Sequence, residues 1–294
     1  MIDQLVAAVD LFDRMKDRYR KWRNPPQESV ASRFIRLFEA HGVHRNQIPR
    51  FFGHGIKLSD LQSDDSLLLK LDESMLEDAC ERFAVRRTWL DGADPQVYPH
   101  HDFYKYPSDF ARFITKLRAG NPDGELSGIL VSPSEQVPNG QAVLILQEYI
   151  GELGGKAIYR NHLFTGWVFE YWKSRAYLTT CIALAWKAGI YTHGRVAAPE
   201  TISGYADGCL LLDAEEFDRL GRSGWHPEDM ALDPAVFLDE LDFEKDNYGV
   251  RAGLKLWLDL QQEGLMDLGH HSSEARLKFQ AELEKYQVDA AVGG

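Results

Sequence analysis

At Gly120-Asn121-Pro122-Asp123-Gly124 the hydrophobic pattern of the chain changes its period. Glycine, proline and Asx residues packed into five positions are turn chemistry that ends a helix or strand. Before this breaker, apolar residues recur at three-to-four spacing. After it come short apolar, β-rich runs and then a second helical stretch. The expected fold class is therefore α+β, mostly α: an N-terminal helical unit (1–92), a linker with a short helix (93–124), and a mixed α/β unit with a helical C-terminus (125–294).

Within the N-terminal unit, Leu5, Val9, Phe12 and Met15 predict a helix over residues 3–23, stopped by Asn24-Pro25-Pro26 because proline lacks the amide donor. Val30, Phe34, Leu37 and Phe38 predict a second helix over 27–41, with Gly42 just past its end. Shorter helices are expected over His44–Phe52, Ser59–Gln62 with Ser59 as N-cap, Leu67–Leu71, Met75–Phe83 and Arg86–Leu90. Pro107 opens another. Beyond the breaker, Ile129–Val131 and Ala142–Tyr149 read as strands, and Gly154-Gly155 can close a hairpin onto Ala157–Phe164. For 142–153 a helix is the rival reading, and strand is favoured. Trp167–Lys187 reads as a helix, Ile190–Val196 as a strand, and Pro199 starts a short helix. Asp233-Pro234, Val250–Glu263 and Ser273–Gln287 complete a helical C-terminus.

Charge is distributed unevenly. The chain of 294 residues carries a formal net charge of −12. Between Arg14 and Lys57, however, eleven basic residues face three acidic ones, and between Asp213 and Asp246 twelve acidic residues face three basic ones. Such polarity points to nucleic-acid contact at the basic end. A solvated amphipathic helix face is the alternative. No apolar run approaches the roughly 18 residues of a membrane span. The N-terminus lacks a secretory signal pattern, and three scattered cysteines suit a reducing compartment, so a cytoplasmic location is expected.

Several short helices within about 60 residues match the size of a helix-turn-helix module. Phe34 through Val43, Gln47-Ile48, and above all Leu71-Asp72-Glu73-Ser74-Met75-Leu76 with Ala79, Phe83-Ala84-Val85 and Trp89-Leu90-Asp91-Gly92 resemble the Cro/C1-type (Xre-like) regulators. The resemblance is confined to about residues 29–92. It implies a transcriptional regulator that binds double-stranded DNA as a homodimer. Arg45, Asn46, Gln47, Arg50, Lys57 and Ser59 would then enter or flank the groove, while Arg14, Arg18, Lys21 and Arg23 neutralise phosphates. The sequence departs from the family's pattern at Pro49, inside the first motif helix, and at Gly55–Ser63, the short counterpart of the recognition helix, which Asp64-Asp65 follows. These departures keep open a second reading, a protein–protein adaptor or anti-regulator with a degenerate motif.

The α/β unit is dense in aromatics. Tyr159, Trp167, Tyr171 and Trp172 with Arg175 are candidates for a ligand pocket, since such pockets combine aromatic walls with a few fixed polar groups. A small-molecule or protein effector is the implied partner, and plain core packing is the alternative. Nothing points to an enzyme, a cofactor or a metal. There is no nucleophile elbow, phosphate loop or dinucleotide motif, and the His100-His101 and His270-His271 pairs lack zinc spacing. Cys181 reads as a buried inert thiol, and Glu148, Glu152 and Glu170 are carboxylates whose pairing the sequence leaves open.

Overall fold

A computed structural model describes residues 28–134, 137, 139–214, 225–239, 241, 247–269 and 272–292. The expected helix over 3–23, with Arg14, Arg18, Lys21 and Arg23, lies outside the described residues, as do His270 and His271. The fold is α+β and mostly α, with one four-stranded sheet. Among the described residues no helix is long and apolar enough to cross a membrane.

The N-terminal unit begins with α1 (Val30–Ala40), capped by the Ser29 hydroxyl, which accepts the Ser32 amide. Gly42, at φ +80°, ends it. The expected helix over His44–Phe52 is split in two. A 3-10 turn over Arg45–Gln47 precedes α2 (Ile48–Phe51), because Pro49 has no amide to donate and is tolerated only in a first turn. The helix expected over Ser59–Gln62 does not form: residues 57–62 are turns, and Ser59 is not an N-cap. Asp60 takes the Lys57 amide instead, and the cap moves to Ser63, where α3 (Asp64–Lys70) starts. Then follow α4 (Glu73–Phe83), capped by Asp72 and closed by Ala84 in the left-handed conformation, and α5 (Arg87–Leu90).

α6 (Pro107–Gly120) leads to β1 (Leu126–Pro133), β2 (Gln141–Leu153) and β3 (Lys156–Val168). The favoured strand reading of 142–153 holds. Gly154 and Gly155 form the hairpin turn, both at positive φ, the backbone twist that two-residue hairpins favour. α7 (Trp172–Lys187) starts five residues later than expected, because β3 continues to Val168 and pairs Trp167 with Ala142. It crosses over to β4 (Thr192–Ala197), which lies parallel to β1, giving the order β3-β2-β1-β4. α8 (Pro199–Ala206), a 3-10 turn over Pro227–Ala231, α9 (Pro234–Leu238), α10 (Asn247–Gln262) and α11 (Ser272–Val292) follow.

Strand alternation sends Ile129, Val131, Val143, Ile145 and Leu163 to one face of the sheet, and Ile158, beyond the register shift near the hairpin, joins the same core. There they join a single core with Phe34, Phe38, Phe52, Phe83 and Trp89 of the N-terminal helices and Ile202 and Tyr205 of α8. The opposite face, with Leu130, Leu144, Leu146 and Phe164, packs on α6 and α7. A third core joins Ala176 and Ala183 on the far side of α7 to α9, α10 and α11. The boundary near residue 92 thus divides secondary structure, while the first core runs across it. Residues 93–106 take part as well: Val97 and Tyr98 are buried, and the Tyr98 hydroxyl accepts the Leu212 amide.

Candidate nucleic-acid interface and junction groove

Cations of the N-terminal unit fall into two groups. On α1, α4 and α5 and in the turn before α5 each is answered locally. Arg36 meets Glu28 at 2.9 Å, Arg86 meets Asp94 at 2.9 Å, and Arg87 meets Glu73 at 2.7 Å and Asp91 at 2.8 Å. Arg33 donates to the Trp89 carbonyl, and Arg82 lies 3.4 Å from Asp78 with its guanidinium over the Phe51 and Phe52 rings. Between residues 45 and 59 the pattern inverts. Arg50 and Lys57 are exposed, and no carboxylate among the described residues lies within salt-bridge distance of either. Arg45 is half-buried, and its Nε has no hydrogen-bond partner among the described residues. Its charge reaches Asp64, whose carboxyl is held low first by the Ser29 and Ser32 hydroxyls and then by Arg45. Lys70, at the end of α3, brings its ammonium toward Gly55, an addition the sequence reading did not include.

The other residues expected at the groove have local tasks. Asn46 is exposed, and its backbone amide donates to the His44 ring; Gln47 accepts the His44 amide, completing a reciprocal cap. The Ser59 hydroxyl donates to Asp60, which also closes the turn at Lys57. The stretch Gly55–Ser63, which the resemblance aligns with a recognition helix, is a series of turns. The cations are therefore carried on a 3-10 turn, a one-turn helix and a loop.

A second feature lies where the N-terminal unit meets the hairpin. The bulge in β2 between Tyr149 and Gly151 brings Gly151 against Phe51 of α2, and the Lys156 ammonium sits 3.0 Å from where a Gly42 Cβ would stand. Between the end of α4, the Gly120–Asp123 loop and the hairpin opens a groove with a volume of about 390 Å³. Glu148 underlies it, with a side chain only 1% exposed. Arg160 donates to both of its oxygens from Nε and Nη2, at 2.6 and 2.5 Å. His162 and the Asn121 amide add contacts at 2.9 and 3.0 Å. Burial alone would raise this carboxyl, but the hydrogen bonds from His162, Arg160 and Asn121 and the Arg160 charge together take it down to about 2. Arg160 also donates to the Glu81 carbonyl, and Asn121 to the Tyr149 carbonyl, so one buried carboxylate ties α4, the breaker loop and the hairpin together. Glu148 thus meets Arg160 and His162 rather than Glu152 or Glu170.

The expected aromatic pocket is corrected. Tyr159 lies near the hairpin, its ring 6.1 Å from that of Tyr149. Trp167 is fully buried between the sheet and α6–α7. Eight residues of extended strand place the two about 26 Å apart. Tyr171 is 40% exposed, and Trp172 packs on Gly249 and Gly253 of α10. Arg175 is buried and donates to the carbonyls of Phe169, Phe237 and Asp239, at 2.8, 3.4 and 3.0 Å. These five side chains line no common cavity, and Arg175 clamps backbone. Cys181 is buried in the core beneath α7, and burial pushes its thiol up. Among the described residues no three His, Cys, Asp or Glu side chains gather closely enough to hold a metal ion.

Compared with family models, curated proteins and solved structures, the chain matches none.

Proposed function

We propose that this protein is a DNA-binding transcriptional regulator. Its N-terminal helical unit would contact double-stranded DNA, and its α/β part would respond to a ligand or a partner protein. The observation that carries this reading is the contrast among cations. Every arginine on α1, α4 and α5 has a polar partner nearby, while Arg50 and Lys57, flanked by Arg45 and Lys70, have no salt bridge among the described residues. Exposed cations without carboxylate partners are free to neutralise phosphates, a sequence-independent and salt-sensitive contribution. Because Gly55–Ser63 is built of turns, base reading falls to Asn46 and its neighbours, and backbone contacts carry more of the affinity. A homodimer placing two such surfaces on two half-sites completes the proposal.

The test is a salt titration of binding to random-sequence duplex. Log affinity should fall linearly with log salt, and Arg50→Ala with Lys57→Ala should reduce that slope by about 2. Absence of binding at low salt, or an unchanged slope in the double variant, overturns the reading.

A second reading, a protein–protein adaptor, is favoured by one observation. Leu58, Leu68 and Leu69 are 54%, 43% and 92% exposed within twelve residues of one another. Exposed apolar clusters mark protein contacts more than nucleic-acid contacts. Loss of partner binding on Leu69→Ser, with duplex binding intact or absent, would support this alternative.

A further inference from the structure

We propose that the groove between the end of α4 and the β2–β3 hairpin binds a small organic cation bearing a primary amine or guanidinium group. Its volume of about 390 Å³ lies within the range of small-ligand clefts. The chemistry follows from which lining charges are already answered. Arg160 is consumed by Glu148 and the Glu81 carbonyl. Arg82 faces Asp78 and lies over two phenylalanine rings, and Asp78 is answered again by His54 at 2.8 Å. Glu81 of α4 and Asp123 of the breaker loop remain, both exposed and with no ion pair among the described residues. An anion entering the groove would meet these two carboxylates and, among the described lining residues, no uncommitted cation. An amine or guanidinium would be the missing counter-ion, with the Tyr149 ring available for a cation–π contact.

The walls are also held before any ligand arrives. The buried Glu148 carboxylate grips Asn121 and Arg160, Asn121 grips the Tyr149 carbonyl, and Arg160 grips the backbone of Glu81. Three segments distant in the sequence are thereby fixed around one opening. A preorganised site loses less conformational entropy on binding than a loose one. This inference is independent of whether the N-terminal unit binds DNA.

Isothermal titration of the full chain with putrescine, spermidine and agmatine, at physiological salt, tests it. At least one should bind at a single saturable site. Glu81→Gln with Asp123→Asn should weaken that binding roughly tenfold or more, the scale of a lost charge-assisted contact. A charge-matched double variant remote from the groove, Glu200→Gln with Glu284→Gln, should leave it within about twofold, as screened exposed charges predict. Lack of saturable binding for all three amines at millimolar concentration overturns the proposal. So does unchanged affinity in the groove variant, or an equal loss in the remote one, which would mark diffuse attraction to an acidic protein.

Discussion

The Glu148 network and the surface from Arg45 to Lys57 treat charge in opposite ways. Beneath the groove, one buried carboxylate meets a two-pronged arginine, a histidine and an amide, so all of its acceptor positions face donors. On the surface of the N-terminal unit, Arg50 and Lys57 are exposed, with no carboxylate partner among the described residues. The first arrangement is structural: in a low-dielectric setting an unanswered charge is costly, so a buried one persists only when fully partnered. The second contributes little to folding and is available for something outside the chain. Formal charge alone does not separate these roles, but partnering does.

Breaking the buried network should have the largest effect. Glu148→Ala leaves Arg160 and His162 without their acceptor and frees the Asn121 loop. We expect a loss of about 3–5 kcal/mol in urea unfolding, the scale of an orphaned buried pair. A change below about 1 kcal/mol would mean that the network is wet and weak.

Acid should dissolve the buried side of the comparison in two stages. His41, just past the end of α1, is buried, its Nδ1 donating to the Leu37 carbonyl and its ring 4.2 Å from that of Phe83. Burial pushes it down to about 4, against a weaker opposing effect of that hydrogen bond. The fold therefore holds it neutral, while the unfolded chain takes up its proton near pH 6.5. Stability should fall between about pH 6.5 and 4, by on the order of 3 kcal/mol. Glu148 remains charged in the fold down to about 2, so its contribution is present above roughly pH 4.5 and is lost as the pH falls further. His41→Phe should flatten the upper stage and spare the lower one, as followed by unfolding across pH. An unchanged upper stage would assign it to other groups.

Arg175 sharpens the contrast from a different direction, as a buried cation that donates to the backbone carbonyls of Phe169, Phe237 and Asp239 and to the Met230 sulfur. Arg175→Met should destabilise by about 2 kcal/mol through unsatisfied carbonyls that join α7 to α9. It should leave duplex binding and amine binding unchanged in folded protein. A selective loss of either would restore Arg175 to a binding role.

The smallest expected effect lies on the exposed side. Arg50→Ala with Lys57→Ala should change unfolding free energy by less than about 0.5 kcal/mol, because both side chains are exposed and neither has a salt-bridge partner among the described residues. A loss above about 1 kcal/mol would show that these cations are structural after all, and would remove the contrast on which the proposed function rests.

Much of the architecture was legible because it is local. Gly42, Gly154-Gly155 and Asp233-Pro234 act in the fold as their chemistry predicts: stop, turn and cap. The β-rich runs after the breaker form the sheet. Where reading failed, a competing local interaction or a distant partner decided. Ser59 lost its cap role to Asp60 and Ser63, three residues with nearly the same capacity to bond a backbone amide. Trp167 joined β3 because Ala142, 25 positions earlier, offered a ladder partner. Aromatic density over 142–196 marked core on both sides of the sheet rather than a single pocket, since proximity in sequence along a strand is distance in space.

The hairpin shows where the division lies. By itself the sequence determines that β2 and β3 fold back at Gly154-Gly155, because the two glycines relieve the steric cost of positive φ. Counting outward from Leu153–Lys156, an unbroken ladder would place Glu148 opposite Asn161. The bulge at Ile150 shifts the register by one, so that Glu148 faces Arg160 and Tyr149 faces Tyr159. Only the tertiary structure decides that shift, where Gly151 packs on Phe51 of α2 and the N-terminal helices share a core with the sheet. The buried ion pair, the groove above it and the link between the two halves of the molecule all follow from that one displaced residue.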